Sequence, residues 1–200
     1  MKKVNKILSV SLVSLSLGGL VIPTTNNDQF NLSTSVVAHA DQSNYDSPQF
    51  AAKVLYYGQN VLNNKTAYGA VIQTLDSGLN NNSLALVKYN STTTDDLITH
   101  LTDKGNYLYV IYTDTNTDIP VYTVKNKTVY MYSVSDAAGQ SQDSMFKPIA
   151  SISIKKLNRT VNDNYLKQYT PKIKLLDATN MNQDDVNNQI EQITMGSNNN

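Results

Sequence analysis

The chain has 200 residues, with 16 basic and 16 acidic side chains, 13 tyrosines, three phenylalanines and neither cysteine nor tryptophan. Balanced charge argues against a nucleic-acid partner, which demands a dense Lys/Arg face, and the absence of cysteine excludes both a disulfide scaffold and a thiolate metal centre. At this length a single hydrophobic core can carry the fold.

Met1-Lys2-Lys3 with Lys6 forms a positive start, Ile7 to Ile22 is an apolar run broken by Ser and Gly, and Ala38-His39-Ala40 is a small-x-small triplet. This pattern predicts a secretory signal peptide over residues 1–40, cleaved after Ala40, because a membrane span needs about 20 consecutive apolar residues. Cleavage removes Lys2, Lys3, Lys6, Asp28 and His39, leaving 13 basic and 15 acidic residues, one histidine (His100), one arginine (Arg159) and one glutamate (Glu191). The expected product is secreted, extracellular or loosely associated with a cell wall, with no transmembrane anchor in its mature form. Cysteine-free export points to a Gram-positive bacterium. The expected organisation is a flexible leader over 41–46, one α+β domain over 47–176 and a polar, Asn-rich tail over 177–200 that forms at most a marginal helix.

Ser47-Pro48 supplies an N-cap followed by proline at the first helical position, and Phe50, Val54, Tyr57 and Val61 then recur at helical spacing. A helix is predicted there, ended by Asn63-Asn64. Tyr68 to Leu75 fits either a strand or a second helical segment, and Gly78 with Asn80 to Asn82 reads as a turn. Ser83 to Tyr89 alternates as a strand, with Leu84, Leu86 and Lys88 on one face and Ala85, Val87 and Tyr89 on the other. Thr94-Asp95-Asp96 opens a short helix with Leu97, Ile98 and Leu101 inward, and Gly105 is placed as its left-handed C′ residue. Asn106 to Thr113, apolar or tyrosine on both faces, is the expected central strand.

Ile119 to Lys125 and Thr128 to Val134 are two further strands, joined by Asn126-Lys127 in a tight hairpin. Ser135 to Lys147 reads as a loop and Ile149 to Lys155 as a final strand. A helix is expected around Asn162 to Tyr169, stopped by Pro171, with Ile173 to Leu176 packing back as a short segment. Val186, Ile190 and Ile193 give the tail its helical spacing. The fold class is therefore α+β: an antiparallel sheet of about four to five strands against an N-terminal helix and one or two shorter helices.

Catalytic side chains are scarce. A Ser-His-Asp arrangement has only His100 as its base, with Asp96 one helical turn earlier. The plain reading of that pair is the solvated face of a short helix. Asp114-x-Asn116-x-Asp118 imitates the start of a calcium loop, but Ile119 stands at the glycine position, Pro120 follows it, and Lys125 occupies the place of the bidentate glutamate. A polar β-turn accounts for it. With one histidine and no cysteine, neither a metal site nor a cofactor is expected.

Tyrosine is abundant instead. Tyr107 and Tyr109 share a strand face with Ile111, and Tyr130 and Tyr132 share a face of the hairpin, so a tyrosine-lined sheet surface is predicted as the ligand-binding site. Such rings stack on sugars or pack on peptides while their hydroxyls hydrogen-bond. Equally, tyrosine is a good strand former that buries its ring and wets its hydroxyl.

The Ala38-His39-Ala40-Asp41 junction, the Asn/Thr/Ser-rich body and the segment from Tyr165 to Lys174 (YLKQYTPKIK) resemble small secreted or cell-surface proteins of lactobacilli-like Gram-positive bacteria. The resemblance is compositional and implies a location without an activity. The sequence thus favours a non-catalytic binding protein with an extracellular or wall polysaccharide or protein as partner. Two alternatives stand beside it: a small secreted hydrolase using His100 with Asp96, and an inhibitor or accessory partner of a secreted enzyme.

Overall fold

In the computed structural model the described residues are 45–62, 67–77, 83–92, 100–113, 118–135 and 146–195. Ser47 caps helix α1 (Pro48–Val61), its hydroxyl accepting from the Phe50 amide at 3.1 Å, as the Ser-Pro start predicts. The ambiguous segment that follows is a helix, α2 (Ala67–Asp76). Tyr68, Val71, Ile72 and Leu75 are spaced by three and four, so one helical stripe buries all of them. The two helices approach so closely that a Cβ on Gly58 would collide with the Tyr68 side chain.

Six strands form one sheet: β1 (Leu84–Asn90), β2 (Tyr107–Tyr112), β3 (Asp118–Lys125), β4 (Thr128–Ser135), β5 (Ala150–Ser153) and β6 (Ile173–Asp177), in spatial order β5-β4-β3-β2-β1-β6. Strands β1 to β5 are an antiparallel meander, which is the expected sheet. The sixth strand corrects that expectation. Ile173 to Asp177 pairs in parallel with β1, Leu84 opposite Ile173 through Lys88 opposite Asp177, so the sheet is mixed. A parallel neighbour requires a crossover, and helices α3 (Ile154–Thr160) and α4 (Asp163–Tyr169) with the 3-10 turn Thr170–Lys172 provide it.

Helix α3 marks a second correction, because the predicted last strand stops at Ser153. The Ser153 hydroxyl accepts from the Lys156 amide at 3.3 Å and starts a helix, while the Ile154 amide donates to the Lys127 carbonyl at 3.0 Å and ends the ladder. Within the meander the Asn126-Lys127 hairpin forms as predicted, both residues at positive φ (51° and 60°), the type I′ geometry that matches strand twist. Gly105 departs from its expected role. Asp103 takes the left-handed conformation (φ 57°), and what demands glycine at 105 is proximity, since a Cβ there would collide with the Val124 carbonyl oxygen.

Each face of the sheet has its own core. On the first, which we call the helical face, α1 and α2 with Leu157 and Tyr169 cover Leu84, Leu86, Tyr109, Ile111, Tyr122, Val129, Met131 and Ile152. The second face gathers Ala85, Val87, Leu108, Val110, Val121, Tyr132 and Val134 with Leu101 and Leu176. There helix α5 (Gln183–Met195) inserts Val186, 1% exposed, with Ile190 and Ile193 at its edge. Burial on both faces explains why β1 and β2 read as apolar on both sides. The Gly78–Asn82 turn, the Thr94–Ile98 helix start and the loop over 136–145 lie outside the described residues.

Candidate functional site

Strand register decides which tyrosines meet. Cross-strand partners share a face, so Asp177, Lys88, Tyr109, Tyr122 and Met131 form one row across the helical face. Tyr130 pairs with Thr123 and Tyr132 with Val121, which places both on the opposite face. The predicted tyrosine surface is therefore divided. Tyr132 is buried and its hydroxyl donates to the Thr102 carbonyl, tying the sheet to the segment before β2, while Tyr130 is half-buried beside it. Tyr107 and Tyr109 stay together on the helical face.

There the row runs out from under the helices into a cleft of about 570 Å³, a volume typical of small-ligand sites. Its wall is made by Tyr45 and Asp46 before α1, Lys88 of β1, Tyr107 and Tyr109 of β2, and Val124, Lys125 and Asn126 at the β3–β4 turn, with Gly105 and Asn106 at its back. Tyr45 and Asp46 belong to the 41–46 segment expected from sequence to be a flexible leader, and composition alone gives them no role. Their position follows from packing: Tyr45 lies 5.2 Å from the Phe50 ring, and the Tyr122 hydroxyl donates to the Tyr45 carbonyl at 3.2 Å.

Asp46 is the hub. The Tyr109 hydroxyl donates to its Oδ1 and the Lys88 ammonium to its Oδ2 at 2.8 Å, while Lys88 also reaches Asp177 at 3.3 Å and lies 4.3 Å over the Tyr107 ring. Tyr109 stacks on Tyr122 at 4.8 Å. Burial works against the Lys88 charge, but Asp46 and Asp177 outweigh it and hold the ammonium above its ordinary pKa. Burial also raises Asp177, and hydrogen bonds from Thr179 together with Lys88 more than reverse this, leaving its carboxyl below the usual range. Tyr109 is pushed far above the ordinary phenol value by burial and by the Asp46 carboxylate. The pKa of each group, Lys88, Asp177 and Tyr109, is moved away from pH 7, so the ammonium and carboxylate stay charged and the phenol stays neutral. Efficient proton transfer needs the reverse.

His100 is exposed and leans on the Phe146 ring, 5.1 Å away and tilted by 45°, while Thr102 donates from both its amide and its hydroxyl to the Phe146 carbonyl. Asp96, its proposed partner, lies outside the described residues, as do Asp114 and Asn116 of the calcium-like stretch. Asp118 opens β3 opposite Ser135. Among the described residues there is no group of three or more His, Cys, Asp or Glu side chains arranged to hold a metal ion.

The cleft can offer a ligand one aromatic face, a fixed cation, a carboxylate and two side-chain amides, those of Asn106 and Asn126. Comparison of the chain with known protein families, with curated proteins and with solved structures finds no match. The site therefore has to be read from its own chemistry.

Proposed function

We propose that this is an exported, non-catalytic binding protein that holds a hydroxyl-rich ring ligand, a saccharide of the extracellular or wall polysaccharide class, in the cleft between Asp46 and Tyr107. One observation carries the reading: an aromatic ring, a carboxylate and a fixed cation, whose ammonium is held above its ordinary pKa, converge on an open cleft. Sugars are recognised by that combination, with C–H faces on an aromatic ring and hydroxyls on charged and amide groups. A reactive centre would need a group poised to change protonation.

With no tryptophan, tyrosine emission is unmasked, and three of the 13 tyrosines, Tyr45, Tyr107 and Tyr109, line the cleft. Titrating the purified protein with wall polysaccharide and peptidoglycan fragments should perturb it, and Tyr107→Ala should weaken binding about tenfold or more while leaving thermal unfolding nearly unchanged. Absence of saccharide binding, or an unaltered affinity in the variant, overturns the proposal; capture of a protein partner through the same residues replaces the saccharide with a peptide. Export has its own test. Intact mass of the native protein should correspond to a start at Asp41, and a membrane-retained form still carrying Leu12 and Leu15 would contradict it.

A further inference from the structure

Overall neutrality conceals a sorted charge. Between Lys147 and Lys174 the sequence has seven basic residues and one acidic one, Asp163, whereas Asp177 to Asn200 has four acids and no base. The fold sends the bases of α3 and the acids of α5 to opposite faces of the sheet, while Asp177 lies on the helical face and Lys174, opposite Ala85, on the second. Helix α5, with Asp184, Asp185 and Glu191, lies on the second face of the sheet, while Leu157 of α3 is buried in the core of the helical face.

Around α3 the cations converge. Lys155, Lys156 and Arg159 are exposed along its outer side. The Lys127 carbonyl accepts from the Ile154 amide, which brings the exposed Lys127 of the hairpin to the start of the same helix. At the other end Lys53 of α1 donates to Asn158 at 2.8 Å. A seven-residue helix is only about 10 Å long, so neighbouring charges stand within roughly a Debye length of one another and their potentials add. Among the described residues none of the four outer cations, Lys127, Lys155, Lys156 and Arg159, has a carboxylate partner.

We propose that this tract is a docking surface for a soluble, linear phosphodiester polymer. Four unneutralised cations on one ridge suit a flexible chain of spaced phosphates, whose counterions are released on contact. The apolar residues argue against a membrane, which a docking surface usually grips with inserted side chains. Among the described residues the large exposed hydrophobics are Val61, Ile149, Leu175 and Met195, none of them in α3 or the hairpin. The tract also lacks an exposed aromatic on which bases could stack, so phosphate is the feature it reads. This inference uses a surface other than the tyrosine cleft and does not depend on it.

Poly(glycerol phosphate) is the probe, titrated into the full exported chain at several salt concentrations, with phosphatidylglycerol/phosphatidylcholine vesicles presenting the same headgroup chemistry on a bilayer. The expected result is binding to the polymer whose affinity falls as salt rises, a loss of about tenfold or more and a shallower salt slope in the K155Q/K156Q/R159Q variant, and full retention in Tyr107→Ala. A matching melting temperature controls for folding, and Lys167→Gln, on the exposed side of α4, serves as a charge control that should change affinity little. Equal affinity in the triple variant, no binding at low salt, or binding to vesicles that the polymer fails to displace would each overturn the proposal.

Discussion

Tyr109 donates to Asp46 at one place under the helices and Tyr169 donates to Asp76 at another, and in both a lysine lies over a tyrosine ring: Lys88 over Tyr107 at 4.3 Å, Lys172 over Tyr169 at 5.6 Å. The residue types are the same but the surroundings differ. Lys172 gives its ammonium to the Leu75 carbonyl at 3.2 Å, and Tyr165 packs 4.2 Å from Tyr169, so that set closes on itself and fastens the end of α2 to the turn before β6. Burial and the Asp76 carboxylate push the Tyr169 phenol up to about 12. Lys88 and Asp46 carry out a similar fastening, yet beside them the sheet stays open. The contrast teaches that open volume next to a polar cluster, rather than its composition, separates a candidate site from a clamp.

Lys88→Met should break the comparison hardest. It leaves Asp46 and Asp177 facing each other without a cation, and because Asp177 is half in water (51% exposed) the cost should be about 1–3 kcal/mol, below that of a fully buried pair. Lys172→Met should cost less than about 1 kcal/mol by urea unfolding; equal losses would mean the two clusters do the same work. Tyr109→Phe and Tyr169→Phe each remove a hydrogen bond to a carboxylate and should cost about 1–2 kcal/mol alike. Only the first should change saccharide affinity.

A smaller, pH-dependent difference follows. The folded pKa of Asp177 is depressed, so its contribution is present above the unfolded value of about 4 and is lost as pH falls through the folded value. The folded pKa of Lys88 is raised, so its contribution is complete below about 10.4 and is lost as pH rises through the folded value. Stability measured against pH should lose part of both limbs in Lys88→Met. Smallest of all, Lys127→Gly relieves a side chain held at positive φ on the rim hairpin and should stabilise by about 0.5–1 kcal/mol in thermal unfolding.

Local patterns carried the helix at Pro48, the meander and the Asn126-Lys127 hairpin, because each is decided by neighbours within a few residues. Beyond that range reading failed in specific ways. The alternation of Ile152 and Ile154 extends into α3, and only the cap made by Ser153 separates strand from helix. Five residues from Ile173 gave no hint of a partner 89 positions earlier in sequence. Parity along one strand correctly paired Tyr107 with Tyr109, and Tyr130 with Tyr132. Parity between strands depends on register through β3, which no local pattern contains, and so the division of the four tyrosines was hidden. Asp46 looked like part of a polar leader because its partners, Lys88 and Tyr109, lie in other elements.

The parallel pairing of β6 with β1 carries a consequence for how the chain is made. Growing from its N-terminus, the polypeptide can assemble β1 through β5 as successive hairpins, but one margin of β1 keeps its amides and carbonyls bare until Ile173 to Asp177 arrives. That last segment also brings Asp177 to Lys88 and the Ala178 amide to the Lys88 carbonyl. The segment from Ile173 thus acts as a latch: a chain stopped before it presents a sticky, unfinished sheet to its neighbours, and a finished one seals that margin and gives the cleft's Lys88 its second carboxylate in a single event.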